Sequence, residues 1–250
     1  MREFAPPLLA SRSITDVVRD GGFVVLPSEW AVRATGLSNR ELGALGAEWR
    51  ELPADPYLRD GGHYRRRRHA AFVVEDGRCR QVPHRPHFQS LEYNALHGGM
   101  ERWFEPVRPE LASSPALLRL FVSLGELCSS VAGARPWFVE AHQFRIDTHD
   151  GIGRPTPEGA HRDGVDFVAI ALVDRARIKG GETRVFEADT PHGIRFTMTE
   201  PWSLLFLDDA RVIHESTPIQ PDGVGPPGAG SPGHRDTLVI TFRRDGFQAP

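Results

Sequence analysis

The sequence is poor in cysteine, with only Cys79 and Cys128 among 250 residues. The two cysteines form no CxxC pair and no disulfide framework, which argues against a disulfide-stapled scaffold. We interpret both as packing residues, because a free cysteine behaves as a small buried hydrophobe. This cysteine usage is typical of a reducing compartment, and we expect the protein to be cytoplasmic.

The sequence also lacks long apolar runs and a large excess of charge of either sign. No window reaches the roughly 18–20 apolar residues of a membrane span, and the opening MREFAPPLLASRS lacks the apolar stretch of a secretory signal. The net charge is −3, so we do not expect nucleic-acid binding. We expect a soluble protein that acts on a small molecule without nucleic acid or membrane, and a homo-oligomer stays open.

Four consecutive arginines at positions 65–68 are the only dense basic block. The block is too short and too isolated to be a nucleic-acid stripe. It fits either a solvated strand or a grip on an anionic group.

Helix and hairpin patterns occupy the N-terminal half. Ser38 can cap a helix whose apolar residues recur at three and four, and Pro115 suits the first turn of a leucine-rich helix. A run rich in Tyr, Phe and Val turns at Glu75-Asp76-Gly77, which indicates a hairpin. The predicted elements are a short helix and strand in 14–27, a helix over 38–52, a hairpin over 63–83 and a helix over 115–132.

After Ala134, short strand-like runs alternate with Gly, Pro and Asp clusters. Several strands at this spacing predict a double-sheet barrel or jelly roll. Residues 221–234, PDGVGPPGAGSPGH, are predicted to be a loop. We predict a mainly β chain with flanking helices. It would form one domain over 1–250, in which a helical and mixed part, 1–134, supports a jelly-roll core, 135–250.

A candidate metal site lies in the C-terminal half. His161 and Asp163 are two residues apart before an apolar run, and residues i and i+2 of a strand share a face. His214 follows on the return strand of a hairpin that turns at Asp208-Asp209. Two imidazoles and one carboxylate that leave coordination positions open form the facial triad of non-haem iron(II) oxygenases.

A candidate anion site follows at the start of the last strand. Arg235 and Thr237 share a face by the same period of two. A buried arginine requires an anion, and a guanidinium beside a hydroxyl can hold a carboxylate. In the alternative interpretation, Arg235 lies at an exposed strand start and pairs with a surface acid. Arg243 is the second candidate for the anchor.

These residues resemble the 2-oxoglutarate/Fe(II)-dependent dioxygenases, and most of all the bacterial family that includes the L-isoleucine hydroxylases. The resemblance implies a double-stranded β-helix (cupin-like) core, the cofactors Fe(II), 2-oxoglutarate and O2, and hydroxylation of free aliphatic amino acids. It implies that Arg235 and Thr237 hold the distal carboxylate of 2-oxoglutarate. The matching segments are PTPEGAHRDGVDFV, KGGET, LFLDDARVIHESTPI and HRDTLVITF, with looser matches at HQFRI, YRRRRHAAF and EYNALHGG.

Further residues are candidates for contacts to cosubstrate and substrate. Gln143 could bind either molecule by hydrogen bonds. A free amino acid needs a cation for its carboxylate, for which Arg145 and the block at 65–68 are candidates. It also needs an anion for its ammonium group, for which Glu140 and Asp166 are candidates.

Other functions remain compatible with these residues. The same cofactors could support desaturation or cyclisation of an amino-acid-derived metabolite, whereas Asp163 occupies the position that a halide would need. A noncatalytic jelly-roll module could hold structural zinc, although such sites are usually closed by a fourth protein ligand. A metal hydrolase would give no role to Arg235 and Thr237.

Overall fold

The structure, a computed structural model, describes residues 12–190, 192–223 and 232–250. The opening segment up to residue 11 and most of the predicted loop over 221–234 lie outside these ranges. The helices are α1 (Ile14–Gly21), α2 (Ser28–Thr35), α3 (Asn39–Leu45), which continues as a 3-10 turn (Gly46–Trp49), α4 (Pro109–Ala112) and α5 (Pro115–Ala132). The strands are β1 (Phe23–Leu26), β2 (Arg65–Glu75), β3 (Arg78–Gln81), β4 (Trp137–Asp147), β5 (Phe167–Ala176), β6 (Ile178–Gly180), β7 (Thr183–Glu187), β8 (Gly193–Phe196), β9 (Leu204–Asp208), β10 (Val212–Ser216), β11 (Ile219–Pro221) and β12 (His234–Arg243).

The described strands form a larger and a smaller antiparallel sheet. The larger sheet has the order β1-β9-β5-β12-β4-β2-β3, the smaller has the order β10-β7-β8, and β6 and β11 form a short ribbon. His161 extends the smaller sheet through an isolated bridge to His214. The prediction of a mainly β fold with a jelly-roll core is confirmed.

Successive residues of the larger sheet pack on different partners, because side chains alternate between the two faces of a strand. On β5, Ile170 and Leu172 pack with Val185 of the smaller sheet. Ala169 and Ala171 belong instead to the core shared with the helices. Both faces of the larger sheet are therefore covered, and the inward face carries the candidate site.

Helix α5 covers the outer face of the larger sheet. Its boundaries match the predicted helix, and Leu120, Phe121 and Leu124 are buried in the core shared with the strands. By length and composition alone this helix could cross a membrane, with a mean hydropathy of 1.3. Core helices pass the same test, and the buried apolar face of α5 gives it a packing role in this fold.

The predicted division of the chain at residue 134 does not follow the sheet. Strands β1, β2 and β3 come from the N-terminal part, yet β1 pairs with β9 and β2 pairs with β4. The hairpin β2–β3 was predicted, but its long first strand also supplies an inner wall of the core. The helix expected over 38–52 ends its α-helical part at Leu45, and α2 was not predicted.

Candidate active site

A cavity of about 100 Å³ lies between the two sheets. The larger sheet contributes inward residues of β2, β4, β5 and β12, and the smaller sheet contributes His214. A further wall comes from the segment 82–108, which connects β3 to α4. Cross-strand register arranges the inward residues of β2, β4 and β12 in rows. In order, the rows are Arg65, Ile146 and Arg235; Arg67, Phe144 and Thr237; His69, His142 and Val239; and Ala71, Glu140 and Thr241.

The three predicted metal ligands, His161, Asp163 and His214, converge at this cavity. The Nε2 atoms of His161 and His214 lie 4.0 Å and 3.8 Å from the carboxylate oxygens of Asp163. Paired backbone hydrogen bonds of 3.1 Å and 3.0 Å hold the two histidines side by side. One ion could therefore contact all three groups, and this donor set suits iron(II) while leaving coordination positions open.

Neighbouring groups orient the ligands. His161 donates its Nδ1 proton to the Gly159 carbonyl at 3.0 Å, which leaves the Nε2 lone pair for a metal. Gln89 donates from Nε2 to Oδ1 of Asp163 at 3.0 Å. Burial, together with His161, lowers the pKa of His214, so its imidazole stays in the neutral form that binds metals.

Asp209 holds the loop that carries Asp163. Its carboxylate accepts hydrogen bonds from the backbone N–H groups of Asp163, Gly164 and Val165 at 3.0, 2.7 and 3.1 Å. Burial and the charge of Asp163 raise the pKa of Asp209 to about 7, although the three donors act in the opposite direction. The sequence predicted only a turn residue here, whereas the structure shows a support for a metal ligand.

We expect Asp209→Ala to weaken Fe(II) binding by about 10- to 100-fold, because supports of this kind position the ligand itself. The substitution should also lower the melting temperature, since three backbone donors lose their acceptor at about 1–3 kcal/mol each. Titration with Fe(II) under anaerobic conditions and thermal unfolding measure the two effects. Asp208→Ala is the matched control, because the Asp208 side chain accepts from Ala210 in the same turn and from no other group among the described residues. Equal losses in both variants would contradict the role of Asp209.

Arg235 and Thr237 face the cavity from β12, as their spacing predicted. Their exposed fractions are only 5% and 2%, so the alternative of an exposed strand start is wrong. Burial, and then Arg175, lower the pKa of Arg235 to about 10. No carboxylate in the described ranges forms an ion pair with Arg235.

A buried guanidinium without an anion is costly, so this position favours an anionic ligand. The hydroxyl of Thr237 beside it can share the same carboxylate. The pair therefore fits one end of 2-oxoglutarate. Arg243 does not line the cavity, and its guanidinium donates to the Gly246 carbonyl beyond the end of β12.

Two predicted site residues on β4 lie on the wrong face for this cavity. Glu140, His142 and Phe144 point inward, so Gln143 and Arg145 point to the helix-covered side. Gln143 is buried there with no partner for its amide in the described ranges, and Arg145 forms an ion pair with Asp236 at 2.6 Å. The structure thus corrects the expectation that these two residues contact cosubstrate or substrate.

Glu140 does reach the cavity, whereas Asp166 does not. Asp166 accepts from the backbone N–H of Arg244 at 2.9 Å and pairs with its guanidinium outside the cavity. Glu140 accepts hydrogen bonds from His69 and His87 at 3.1 Å and 3.3 Å. Burial opposes the Glu140 charge, but the two histidines outweigh it and lower the pKa, so the carboxylate is ionised.

The arginine block at 65–68 divides between the two faces of β2. Arg65 and Arg67 line the cavity. Arg66 lies 3.4 Å from the Asp147 carboxylate, and Arg68 donates to the Pro106 carbonyl. The exposed Arg66 fits the interpretation of a solvated strand, whereas a grip on an anionic group stays a prediction for Arg65 and Arg67.

Other residues at the cavity were not predicted. Gln89, Asn94, His97 and Arg102 come from the segment 82–108, and Gln248 comes from the end of the chain. Neither region has a helical or strand period that would assign a face. The only signal in the sequence is EYNALHGG, which belongs to the looser part of the family resemblance.

Comparison with known proteins supports the same chemistry. A sequence model of the 2OG-Fe dioxygenase family matches residues 46–241. None of the curated protein sequences is significantly similar to the chain. The crystal structure of a bsmA homolog from Methylobium petroleophilum PM1 is 50% identical with a TM-score of 0.88, and the alignment covers 95% of this chain and 94% of that one.

Two more distant structures share the fold. IDO from Bacillus thuringiensis has a TM-score of 0.74 at 16% identity, with 95% of this chain and 98% of that chain covered. The Fe(II)/α-ketoglutarate-dependent dioxygenase TqaL has a TM-score of 0.69 at 19% identity, with 92% and 86% covered.

The family match spans more than half of the chain and includes the three candidate metal ligands and the Arg235–Thr237 pair. The family uses Fe(II), 2-oxoglutarate and O2, and the donor groups described above fit the metal and the dicarboxylate. The chain belongs to the 2OG-Fe dioxygenase family.

Proposed function

We propose that the enzyme hydroxylates an unactivated C–H bond of a free L-amino acid or a closely related small molecule. In this reaction O2 and 2-oxoglutarate are consumed, one oxygen atom enters the C–H bond, and succinate and CO2 are formed. The observation that carries the proposal is a small cavity that offers charged groups of both signs beside the candidate metal ligands.

The size of the cavity supports a small substrate. Its volume of about 100 Å³ lies below the roughly 300–1,000 Å³ of pockets for drug-sized ligands, and bound 2-oxoglutarate would occupy part of it, so only a small second molecule fits beside the cosubstrate. Such a space suits a single metabolite better than a peptide or a nucleotide. The resemblance of the sequence to hydroxylases of free amino acids points to the same size of substrate.

The lining of the cavity supports an amino acid. Arg67 and Arg102 offer cations, and the ionised Glu140 offers an anion for an ammonium group. Val165, Ile170 and Val239 add apolar surface that suits an aliphatic side chain. A zwitterion with an apolar side chain matches all three features.

The residues of the chain would then bind, orient and exclude water. His161, Asp163 and His214 would hold Fe(II), while Arg235 and Thr237 would fix 2-oxoglutarate by its distal carboxylate. When bound, iron and 2-oxoglutarate supply the chemistry that activates O2 for C–H oxidation. The apolar side chains next to them keep competing water away from the substrate, and positioning is the contribution of the protein.

The test is incubation of the enzyme with Fe(II), ascorbate, 2-oxoglutarate and each L-amino acid in turn. We expect one amino acid, or a small group of them, to stimulate succinate formation and to gain the mass of one oxygen atom. A loss of two hydrogens instead would indicate desaturation or cyclisation. Succinate formation that no amino acid stimulates, in a preparation that still turns over 2-oxoglutarate slowly, would rule out this substrate class.

A further inference from the structure

Three arginines meet at the β2 side of the cavity. Arg65 and Arg67 point inward from β2, and Arg102 comes from the segment 82–108. We call Arg65, Arg67 and Arg102 the arginine cluster. All three side chains are buried. The guanidinium carbons of Arg67 and Arg102 lie 3.8 Å and 5.8 Å from the centroid of the Phe104 ring. Those of Arg65 and Arg67 lie 5.9 Å and 4.5 Å from the centroid of the Phe144 ring, so the three guanidinium groups are close together.

The arginine cluster carries more positive charge than its ion pairs balance. Asp55 is the partner, with its Oδ2 atom 2.7 Å from Nε of Arg65 and 3.9 Å from Nη1 of Arg67. Arg102 donates from Nη2 to the neutral amide of Gln89 at 2.8 Å and makes no ion pair in the described ranges. Three buried guanidinium groups therefore share one carboxylate, an arrangement that favours an added anion.

Besides Asp163, two other carboxylates line the cavity outside the arginine cluster. Glu140 accepts from His69 and His87, and Nη1 of Arg85 lies 3.6 Å from it. Glu158 lies 3.6 Å from Nε2 of His161, on the side of the candidate metal ligands. Neither forms an ion pair with the arginine cluster, so Asp55 is its one direct carboxylate partner among the described residues. Burial and Arg65 lower the pKa of Arg102 to about 10, although Asp55, Glu158 and Glu140 act in the opposite direction.

Unused donors surround the same place. Nη2 of Arg65, Nε of Arg67 and Nε of Arg102 are buried and have no hydrogen-bond partner among the described residues. Nε2 of His142 is also buried and has no hydrogen-bond partner among the described residues. Buried donors in native proteins are normally paired, and four unpaired donors on residues that line the same cavity indicate a ligand rich in acceptor atoms.

The neighbouring histidines do not turn this place into a second metal site. His69, His87 and His142 are close enough to share an ion. However, Arg67 donates from Nη2 to Nδ1 of His142 at 2.9 Å, and an arginine can only donate. The proton of neutral His142 must then lie on Nε2, which makes that atom a donor and prevents it from binding a metal.

The arginine cluster is separate from the anchor predicted for 2-oxoglutarate. Arg65 and Arg235 occupy the same row of the sheet, and both pair across Ile146 of β4. Two strand spacings of about 4.8 Å place their backbones roughly 10 Å apart. The inner face thus offers two anion sites side by side, one on β12 and one on β2.

Gln89 connects the arginine cluster to the metal ligands. Its Oε1 atom accepts from Arg102 at 2.8 Å, and its Nε2 atom donates to Asp163 at 3.0 Å. Only the Gln89 side chain would therefore separate an anion held by Arg102 from the metal ligand Asp163. This separation is short enough for one small molecule to contact both the arginine cluster and the metal.

We infer that the arginine cluster binds the carboxylate of the substrate, and that Arg67 and Arg102 are its main donors. The substrate is then a carboxylic acid whose oxidised carbon lies on the far side of the molecule from the carboxylate. The inference deepens the proposed function. It rests on the proposed function only in assuming that the substrate has an amino group, which would face Glu140.

The first test compares ligands on the unmodified enzyme. The anaerobic complex with Fe(II) and 2-oxoglutarate is titrated calorimetrically with the L-amino acids. For each amino acid that binds, three analogues are then titrated in the same way: its primary amide, its decarboxylated amine and the acid that lacks the amino group. The desamino acids of leucine, isoleucine and valine are titrated in every case. We expect removal of the carboxylate to weaken binding about 30-fold or more, because it leaves buried charges unpaired.

The second test compares three arginines. Arg102→Met should weaken substrate binding by a similar factor and leave the affinity for 2-oxoglutarate unchanged. Arg66→Met, on the outer face of the same strand as Arg67, is the control that should alter neither affinity. Arg235→Met should show the reverse pattern, with loss of 2-oxoglutarate affinity. The ligand series on the unmodified enzyme decides the question if Arg102→Met fails to fold.

The outcomes separate this inference from the proposed function. Binding of desamino acids alone, lost in Arg102→Met, would support the arginine cluster and contradict an amino acid substrate. Equal binding of acid, amide and amine would overturn the inference. Binding of no carboxylic acid at all would overturn it too. So would an Arg102→Met variant that loses affinity for 2-oxoglutarate and keeps its affinity for the substrate.

Discussion

Asp163→Ala should purify without bound Fe(II) and should form no more succinate than a reaction without enzyme. The substitution removes the single anionic donor of the triad and leaves two neutral imidazoles. Those two donors cannot offset the charge of the metal or complete the facial arrangement that a 2-oxo acid needs. Metal content after anaerobic loading and succinate release with 2-oxoglutarate measure the two losses.

A second group of possible ligands provides the matched control. Asp174, His234 and Asp236 also lie close enough to share an ion. They do not line the cavity between the sheets but a separate outer groove of about 790 Å³, between α3 and the outer face of the larger sheet. Asp174→Ala should retain iron and activity. Iron retained by Asp163→Ala and lost by Asp174→Ala would show that the metal binds in the outer groove.

Arg235→Met should raise the dissociation constant for 2-oxoglutarate by about 30-fold or more, since loss of one partner of a buried charge pair costs about 2–5 kcal/mol. Without ligand the same variant should unfold at a temperature no lower than the unmodified protein. This follows because the substitution removes a buried charge that has no counter-ion in the described ranges. Calorimetric titration and thermal unfolding, each with and without 2-oxoglutarate, give both quantities.

Arg175→Met is the control for that variant. Arg175 is the register partner of Arg235 on β5, and its guanidinium donates to the carbonyls of Met198 and Gly180. Its replacement should leave 2-oxoglutarate affinity nearly unchanged. An equal loss of affinity in both variants, or an apo form of Arg235→Met that is clearly less stable, would contradict a dedicated carboxylate anchor.

The period of two along a strand explains which site residues were predictable. It placed Arg235 and Thr237 on one face, and the buried interior of a jelly roll made that face the cavity. The same rule cannot say which of two faces is inward when both are buried. On β4 the apolar Val139 and Ala141 face the helices while Glu140 and His142 face the cavity, so the polar side of the strand is the inner one.

Irregular segments account for the residues that were missed. Gln89 and Arg102 lie in the long connection 82–108, where no repeat of apolar positions assigns a face. Their place at the cavity depends on backbone hydrogen bonds such as the pair between His87 and Arg102. Asp209 was predicted as a turn residue, and its second role depends on where the turn meets the Asp163 loop in three dimensions.

The cavity residues come from two kinds of structure, the strands and the irregular segment 82–108, and this difference has a consequence for divergence within the family. The strands carry the anchor for the shared cosubstrate, and each of their inner residues is tied by pairing to outer residues in the helix-covered core. The connection from β3 to α4 supplies Gln89, Asn94, His97 and Arg102 with few such ties. New substrates can therefore be accommodated by changes within one contiguous stretch of chain, as long as Gln89 and its hydrogen bond to the metal ligand Asp163 are kept.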